Sequence, residues 1–269
     1  MRIGRELVVS LSILLAPAFS YADERFFTYS YQADVLKEGA TEFEQQVTNQ
    51  SGRKEGEYSE WDFRSEIEHG VTSNLMTALY LNLQSVRQEN FHGEDSEHDF
   101  NFKGISSEWV YQLLNPTLDP VGLAIYGEYT TDGIDHELEG KILLSKHLDD
   151  IELALNAVYE GESESKDGVR EREGTAQFTA GAAFHLNNKW SAGLELRNKS
   201  AYPGGFNLSG QEYQTMSVGP NVHYGSSNWW GTLTVLPQVW GNGEESSGSR
   251  QLVHEESLEV RLIVGIEIG

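Results

Sequence analysis

The chain has 269 residues, with 42 acidic against 19 basic side chains, a formal net charge of −23 and no cysteine. This balance excludes a basic face that binds nucleic acid, and the lack of thiols excludes disulfides and thiolate metal sites. The length allows one large domain or two ordinary ones.

A signal peptide is predicted over residues 1–22. Arg2 and Arg5 give a positive start, an apolar run extends from Leu7 to Phe19, and small residues precede a cleavage point before Asp23. The alternative is a buried or anchoring helix, although the run is short for a membrane span. Cleavage leaves 17 basic and 41 acidic side chains, which is a net charge of −24.

Strand-like alternation recurs through the rest of the chain. Alternation of apolar and polar residues with period two is typical of a β-strand that has two different faces. In residues 58–68, for example, Trp61, Phe63 and Ile67 alternate with polar and charged side chains. Twelve strands are predicted on this basis, at 41–50, 58–68, 75–86, 101–113, 121–130, 136–146, 151–161, 174–186, 190–198, 213–224, 229–240 and 256–268.

The connections between these strands alternate in length. The short connections are 69–74, 115–120, 147–150, 187–189 and 225–228. The longer, polar connections are 51–57, 87–100, 162–173, 199–212 and 241–255, with 131–135 as a short exception. Short turns at one end and long loops at the other are typical of an outer-membrane barrel. The sequence therefore predicts a closed antiparallel transmembrane β-barrel over residues 41–269, preceded by an N-terminal periplasmic or lumenal segment at 23–40.

The two faces of the predicted sheet differ in chemistry. Aliphatic residues such as Leu153, Leu155 and Leu194 share one face, and carboxylates dominate the other. Because a sheet survives in lipid only as a closed barrel, we expect the apolar face to meet lipid and the acidic face to be hydrated. The candidate pore-lining residues are Glu60, Asp62, Arg64, Glu66, Glu108, Glu128, Glu139, Lys141, Glu195, Arg197, Glu259 and Arg261. A soluble β-sandwich or periplasmic barrel with the opposite orientation is the alternative, and alternation alone does not exclude it.

This orientation has an energetic consequence. Arginine at a lipid-facing position such as Leu155 or Leu194 should cost about 2–4 kcal/mol of stability. The same change at Asn156 or Glu195, on the face expected to be hydrated, should cost much less.

Two stretches carry a family resemblance. They are FFTYSYQADVLKEGATEFEQQVT at residues 26–48 and WDFRSEIEHGVTSNLMTALYL at residues 61–81. Both resemble uncharacterised Gram-negative outer-membrane barrels, including barrels labelled as phenol-degradation-pathway or transporter-like proteins. The resemblance implies an outer-membrane location and brings no catalytic residues. The chain departs from such barrels by ending in VGIEIG, with Ile268 where a terminal aromatic residue is common.

The predicted function is passive, porin-like passage of a small solute, with a preference for cations because unpaired lumen carboxylates concentrate them. We expect a monomer in contact with outer-membrane lipid, lipopolysaccharide and the barrel assembly machinery, and neither a nucleic-acid partner nor a cofactor. One alternative is a structural or surface-interaction barrel whose lumen is plugged, since barrels of this size are either filled or open.

A hydrolase at the rim is the third alternative. Asp132, Asp135 and His136 lie together at the loop end, whereas Ser145 and His147 lie at the turn end, away from outer-leaflet lipid. The acidic loop 89–100 contains His92 and His98 but lacks the spacing of a calcium loop. The chain is therefore predicted to be neither an enzyme nor a metal protein.

Overall fold

A computed structural model of the protein describes residues 24–89, 96–166, 169–243 and 249–268. They contain twelve strands: β1 (Thr41–Ser51), β2 (Glu57–Thr72), β3 (Leu75–Glu89), β4 (Glu97–Leu114), β5 (Gly122–Thr131), β6 (His136–Leu148), β7 (Ile151–Lys166), β8 (Val169–His185), β9 (Trp190–Pro203), β10 (Tyr213–Gly225), β11 (Trp229–Gly243) and β12 (Leu258–Glu267). The predicted signal peptide lies outside the described residues, as do His92, Glu94 and Asp95 of the acidic loop.

The sheet closes on itself. Each strand pairs with its neighbours in the sequence, and β1 pairs antiparallel with β12 from Glu42 opposite Glu267 to Ser51 opposite Leu258. The prediction of a closed, antiparallel, twelve-stranded barrel is confirmed. Over the described ranges, no helix is long and apolar enough to cross a membrane.

The outer surface of the barrel is apolar, which inverts the pattern of a water-soluble protein. Leu79, Ile125 and Leu194 are each more than half exposed, while the neighbouring Tyr126 and Glu195 are buried on the inner face. A contiguous apolar surface of this extent indicates contact with lipid rather than with water. Closure leaves no strand at a free sheet edge, as a wall in hydrocarbon requires.

Aromatic rings lie at both ends of the wall. Trp190, Tyr224 and Trp229 pack together beside the short turns, with ring centroids 4.8 and 5.0 Å apart. At the end with the long loops, the ring of Tyr159 lies 5.8 Å from that of Phe206. Such rings are typical of the two membrane interfaces, and the short turns then mark the periplasmic end.

Residues 24–40 enter the lumen from the periplasmic end and leave it by the same end. The sequence left open whether this segment lies in the lumen, caps the mouth or joins the wall, and the structure places it in the lumen. It reaches Glu195 on β9 and returns to β2, where Gly39 N donates to Gly70 O at 2.8 Å. We call residues 24–38 the plug.

Candidate functional site

The centre of the plug is bound by one carboxylate of the wall. Glu195 accepts hydrogen bonds from the backbone N–H groups of Thr28, Tyr29 and Ser30 at 3.0, 2.9 and 2.9 Å. The hydroxyl of Thr234 donates to the same carboxylate at 2.6 Å. Consecutive backbone N–H groups that converge on an anion form a nest, and hydrogen bonds to an ionised acceptor are the strong ones. Glu195 therefore fixes the depth of the plug.

In the described structure, the plug is not paired with a β-strand that would bind its backbone groups. Other polar side chains of the wall supply these hydrogen bonds. Asn156 accepts from Tyr31 N at 2.6 Å and donates to Tyr31 O at 2.8 Å. Ser145 accepts from Ala33 N at 2.9 Å, and Gln112 donates to Ala33 O at 2.7 Å. Buried backbone groups need such partners, so these polar side chains allow an irregular segment to be buried inside the barrel.

The basic residues of the lumen contact the aromatic rings of the plug. Arg197 and Arg261 lie 5.0 and 4.0 Å from the ring centroid of Tyr29. Lys141 lies 4.0 Å from the ring centroid of Tyr31. A cation placed over an aromatic face is attracted by the ring quadrupole, more strongly when water is excluded. These contacts attach the plug to β6, β9 and β12.

All twelve candidate pore-lining residues lie on the inner face of the wall, in two environments. Those that are buried by the plug and by neighbouring wall side chains are Glu66, Glu108, Glu128, Lys141, Glu195 and Glu259. Those that are partly exposed are Glu60, Asp62, Arg64, Glu139, Arg197 and Arg261. Their contribution to a conduction pathway stays a prediction.

The prediction that Asn156 and Glu195 lie in a hydrated environment is wrong. Both side chains are 1% exposed, because both bind the plug. An arginine at either position would displace the plug, so neither position provides the low-cost control for an arginine on the lipid face.

Much of the basic charge on the inner face is paired with carboxylates. The ion pairs formed by the candidate residues are Arg64 with Glu128 at 3.4 Å, Lys141 with Glu139 at 2.5 Å, and Arg197 with Glu259. At the loop end, Lys199 pairs with Glu255 at 2.7 Å. Arg261 instead donates to Thr48 Oγ1 at 2.9 Å and to Thr28 O at 3.2 Å.

Two cavities lie on either side of the plug. The extracellular cavity has a volume of about 240 Å³ and is lined by five acidic and three basic residues, among them Asp62, Glu137 and Arg261. The periplasmic cavity has a volume of about 1070 Å³ and is lined by six acidic residues, two lysines and three histidines. The candidate functional site is this pair of acidic cavities with the plug between them.

A family model described as a family of unknown function, DUF6662, matches residues 19–268. The chain belongs to the DUF6662 family. No curated protein matches it. The resemblance to uncharacterised outer-membrane barrels is confirmed at the level of family and fold.

Solved structures with the same fold as the DUF6662 chain are outer-membrane barrels. The COG4313 outer membrane channel from Pseudomonas putida F1 is similar with a TM-score of 0.60 and 9% identity, over 88% of this chain and 98% of that one. The NanC porin is similar with a TM-score of 0.52 and 10% identity, over 84% and 100%. The translocator domain of the autotransporter NalP from Neisseria meningitidis is similar with a TM-score of 0.52 and 12% identity, over 85% and 88%.

The periplasmic end of the DUF6662 chain joins the plug to the wall through histidines. His147 Nε2 lies 3.0 Å from Asp34 of the plug, and its other ring nitrogen contacts Glu152. His223 Nε2 lies 3.1 Å from Glu24 at the start of the plug. The beginning and the end of the plug are therefore both attached to the wall beside the periplasmic turns.

The extracellular cavity of the DUF6662 chain keeps its charge through loop geometry. Backbone N–H groups of Asp135 and Ile134 donate to Asp132 Oδ1, each at 2.8 Å, and they lower the pKa of that carboxyl. Between β11 and β12, burial raises the pKa of Glu256 to about 7, against the opposing effect of Arg53 at 2.7 Å. Asp132 therefore remains ionised at neutral pH, at the mouth of the cavity.

The residues considered for a rim hydrolase form hydrogen bonds with neighbouring residues. His136 lies 2.8 Å from the hydroxyl of Tyr129, and Asp135 accepts from Ser165 N at 2.7 Å. At the opposite end, Ser145 is occupied by the plug backbone and His147 by two carboxylates.

Replacing Glu195 with glutamine should loosen the plug. Glutamine removes the charge and turns an amide donor toward backbone N–H groups, which should weaken plug docking by about 1.5–3 kcal/mol. Ser30→Cys provides the readout, because its buried hydroxyl oxygen has no hydrogen-bond partner in the described structure. Modification of this cysteine by a water-soluble maleimide should accelerate by about tenfold or more in the E195Q background.

Glu162→Gln is the matched control, since Glu162 lines the extracellular cavity. It makes the same chemical change away from the Glu195 nest. Equal modification rates in the E195Q and E162Q backgrounds would contradict the anchoring role of Glu195.

Proposed function

We propose that the protein is a passive outer-membrane channel for small solutes, that its lumen favours cations, and that the plug sets the upper limit on solute size. The observation that carries this proposal is the pair of acidic cavities in the lumen of a closed barrel, one beside the long loops and one beside the short turns, the second of which is lined in part by the plug. Its fold is also that of barrels described as an outer membrane channel and a porin.

The cation preference follows from the charge on both sides of the plug. Acidic residues outnumber basic ones in the lining of each cavity. Carboxylates in a confined space with low-dielectric walls raise the local concentration of cations and repel anions. A cation therefore meets attractive potential from either side, whereas an anion meets a barrier at both.

The size limit follows from how the plug fills the centre. Phe27 and Thr28, in the centre of the plug, are completely buried. A solute must pass beside this segment or wait for it to shift, so only small solutes pass while the plug is docked. Nothing in this geometry selects a particular solute.

The competing proposal is a barrel whose plug stays docked and lets no ions pass. The number of wall contacts to the plug favours this alternative. It would serve a structural or surface-interaction role, with the long loops as the binding surface. Single-channel recording separates the two functions, because a permanently filled barrel carries no current.

Neutralising the extracellular cavity should reduce cation selectivity. The variant combines Asp62→Asn, Glu137→Gln and Glu162→Gln, all of which line that cavity. Its reversal potential in a KCl gradient across a planar bilayer should move toward zero relative to the unaltered protein, because fewer fixed charges concentrate potassium.

The control is Glu97→Gln, which removes a charge from the exposed start of β4. It should leave the reversal potential unchanged. Anion selectivity in the unaltered protein would contradict the charge mechanism, and a complete lack of current would support the filled barrel.

A further inference from the structure

Five glutamates lie side by side on the inner wall of β1, β2 and β4: Glu42, Glu44, Glu66, Glu68 and Glu108. Glu42 is directly opposite Glu68, and Glu44 is directly opposite Glu66. All five are at most 4% exposed. Like charges directly opposite one another in a sheet are destabilising, and buried carboxylates need compensation. The negative charge of these five buried carboxylates must therefore be compensated.

Part of the cluster has the geometry of a cation site. Carboxylate oxygens of Glu66, Glu68 and Glu108 lie within 4.8 Å of one another, and so do those of Glu42, Glu44 and Glu68. Calcium–oxygen bonds of about 2.3–2.6 Å place ligands on opposite sides of the ion up to about 5 Å apart. The small Ala78 of β3 pairs with both Glu68 and Glu108, which leaves space between them.

Unsatisfied oxygen atoms point to a ligand in this space. Within the described part of the chain, neither carboxylate oxygen of Glu108 has a hydrogen-bond partner, although the residue is 1% exposed. One oxygen of Glu66 and one of Glu44 are also without a partner there. The nearby hydroxyl of Tyr126 donates to Glu128 instead. Buried polar atoms are rarely left in this condition.

The basic side chains near the cluster are too few to neutralise it. Three approach, and each pairs with a different glutamate: Arg25 with Glu44 at 3.5 Å, Arg64 with Glu128 at 3.4 Å, and Lys141 with Glu139 at 2.5 Å. Two of these partners, Glu128 and Glu139, are acids outside the cluster. Over the described ranges, neither Glu66 nor Glu108 forms a direct ion pair with any of the three.

We propose that Glu66, Glu68 and Glu108 bind a divalent cation of the calcium class behind the plug, with Glu42 and Glu44 beside it. Oxygen ligands in an irregular arrangement suit Ca²⁺, whereas Mg²⁺ demands near-ideal octahedral geometry and retains several waters. The bound ion holds β1, β2 and β4 together at the level of Arg25, where the plug crosses the lumen.

Terbium luminescence tests the site on the full chain, purified and folded in detergent after treatment with a chelator. Trp230 Nε1 donates to Glu42 Oε1 at 2.9 Å, so an indole that sensitises Tb³⁺ lies beside the cluster. Tb³⁺ should produce saturable emission when tryptophan is excited, and Ca²⁺ should displace it. Calcium should also raise the thermal unfolding temperature, because it binds the folded state alone.

Glu108→Gln should weaken both Tb³⁺ and Ca²⁺ binding by at least an order of magnitude. If the Glu108→Gln variant does not fold, Glu66→Gln replaces it in the same test. Glu162→Gln removes an acid elsewhere in the lumen and should bind as the unaltered protein does. Trp230→Phe should reduce the emission several-fold while preserving calcium binding by direct metal analysis.

Two results would overturn the proposal. If the unaltered protein binds neither ion, the carboxylates are neutralised by protons. If the glutamine variants at Glu108 and Glu66 bind as tightly as the unaltered protein, the ion is held by exposed acids elsewhere. Neither measurement depends on conductance, so the site and the channel function succeed or fail separately.

Discussion

Deleting residues 24–36 should raise the single-channel conductance several-fold. The deletion removes Thr28 and its neighbours from between the two cavities but keeps Gly39, whose N–H donates to Gly70 O at 2.8 Å. All twelve strands lie after the deleted segment. The wall therefore keeps its closed hydrogen-bond network, and the lumen opens from one cavity to the other.

The same deletion should strengthen the preference for cations. It uncovers Glu195 and the glutamates behind the plug, which then face water and permeating ions. It removes one basic residue, Arg25, and two acidic ones, Glu24 and Asp34, so the expected gain comes from the wall carboxylates that it uncovers. The reversal potential in a salt gradient should move further in the cation-selective direction, whereas a pore governed by the extracellular loops alone would show no change.

A crosslinked plug is the matched control for the deletion. Ala33 N lies 2.9 Å from Ser145 Oγ, and the chain has no cysteine, so the pair Ala33→Cys and Ser145→Cys forms the sole disulfide. The oxidised variant should keep the low conductance of the docked plug. Unchanged conductance after deletion, in a protein that still shows heat-modifiable migration, would contradict the plug as the barrier.

The wall could be predicted from the sequence because its signal is local. Period-two alternation occurs within each strand and needs no contact with distant residues to be recognised. All twelve predicted strands are present. The largest errors lie mostly at the loop ends: β4 begins at Glu97 rather than 101, and β8 begins at Val169 rather than 174. At the turn end, β2 extends to Thr72 rather than 68. Strands that extend beyond the hydrocarbon layer continue to pair there without an apolar face, so the alternation that marks them disappears.

The plug could not be predicted in the same way, because its contacts are remote in sequence. Thr28 binds Glu195 across 167 residues, and Tyr31 binds Asn156 across 125. An irregular segment held by scattered polar side chains has no periodicity. One signal was available: Phe26, Phe27, Tyr29 and Tyr31 place four aromatic rings within six residues, a density that favours burial.

The inner face illustrates the limit of pattern-based inference. Alternation predicts the correct face for Glu108 and Glu195, but the expectation that this face is hydrated is wrong at both positions. In the structure the first lies in a buried acidic cluster and the second binds three backbone N–H groups. A side chain's face is a local property, whereas its environment depends on what else occupies the lumen.

Replacing Leu155 with arginine should cost about 2–4 kcal/mol of unfolding free energy, because the charge must enter the hydrocarbon layer. Leu155 lies on the outer face of β7 and is 37% exposed. The control is Gln46→Arg, on the inner face where the extracellular cavity supplies water. It should cost much less in denaturant titrations of protein folded into lipid vesicles. Equal costs at the two positions would contradict the assignment of faces.

Energetics alone leave the direction of the apolar face open, because arginine would also be costly in the core of a soluble β-sandwich. Single cysteines at 155 and 46 resolve this, since the chain has no other thiol. A nitroxide at 155 should collide with lipid-soluble oxygen and not with a water-soluble nickel reagent. A nitroxide at 46 should show the opposite preference. If the label at 155 is shielded from both reagents, Leu155 lies in a protein core, and the membrane orientation on which the channel depends is wrong.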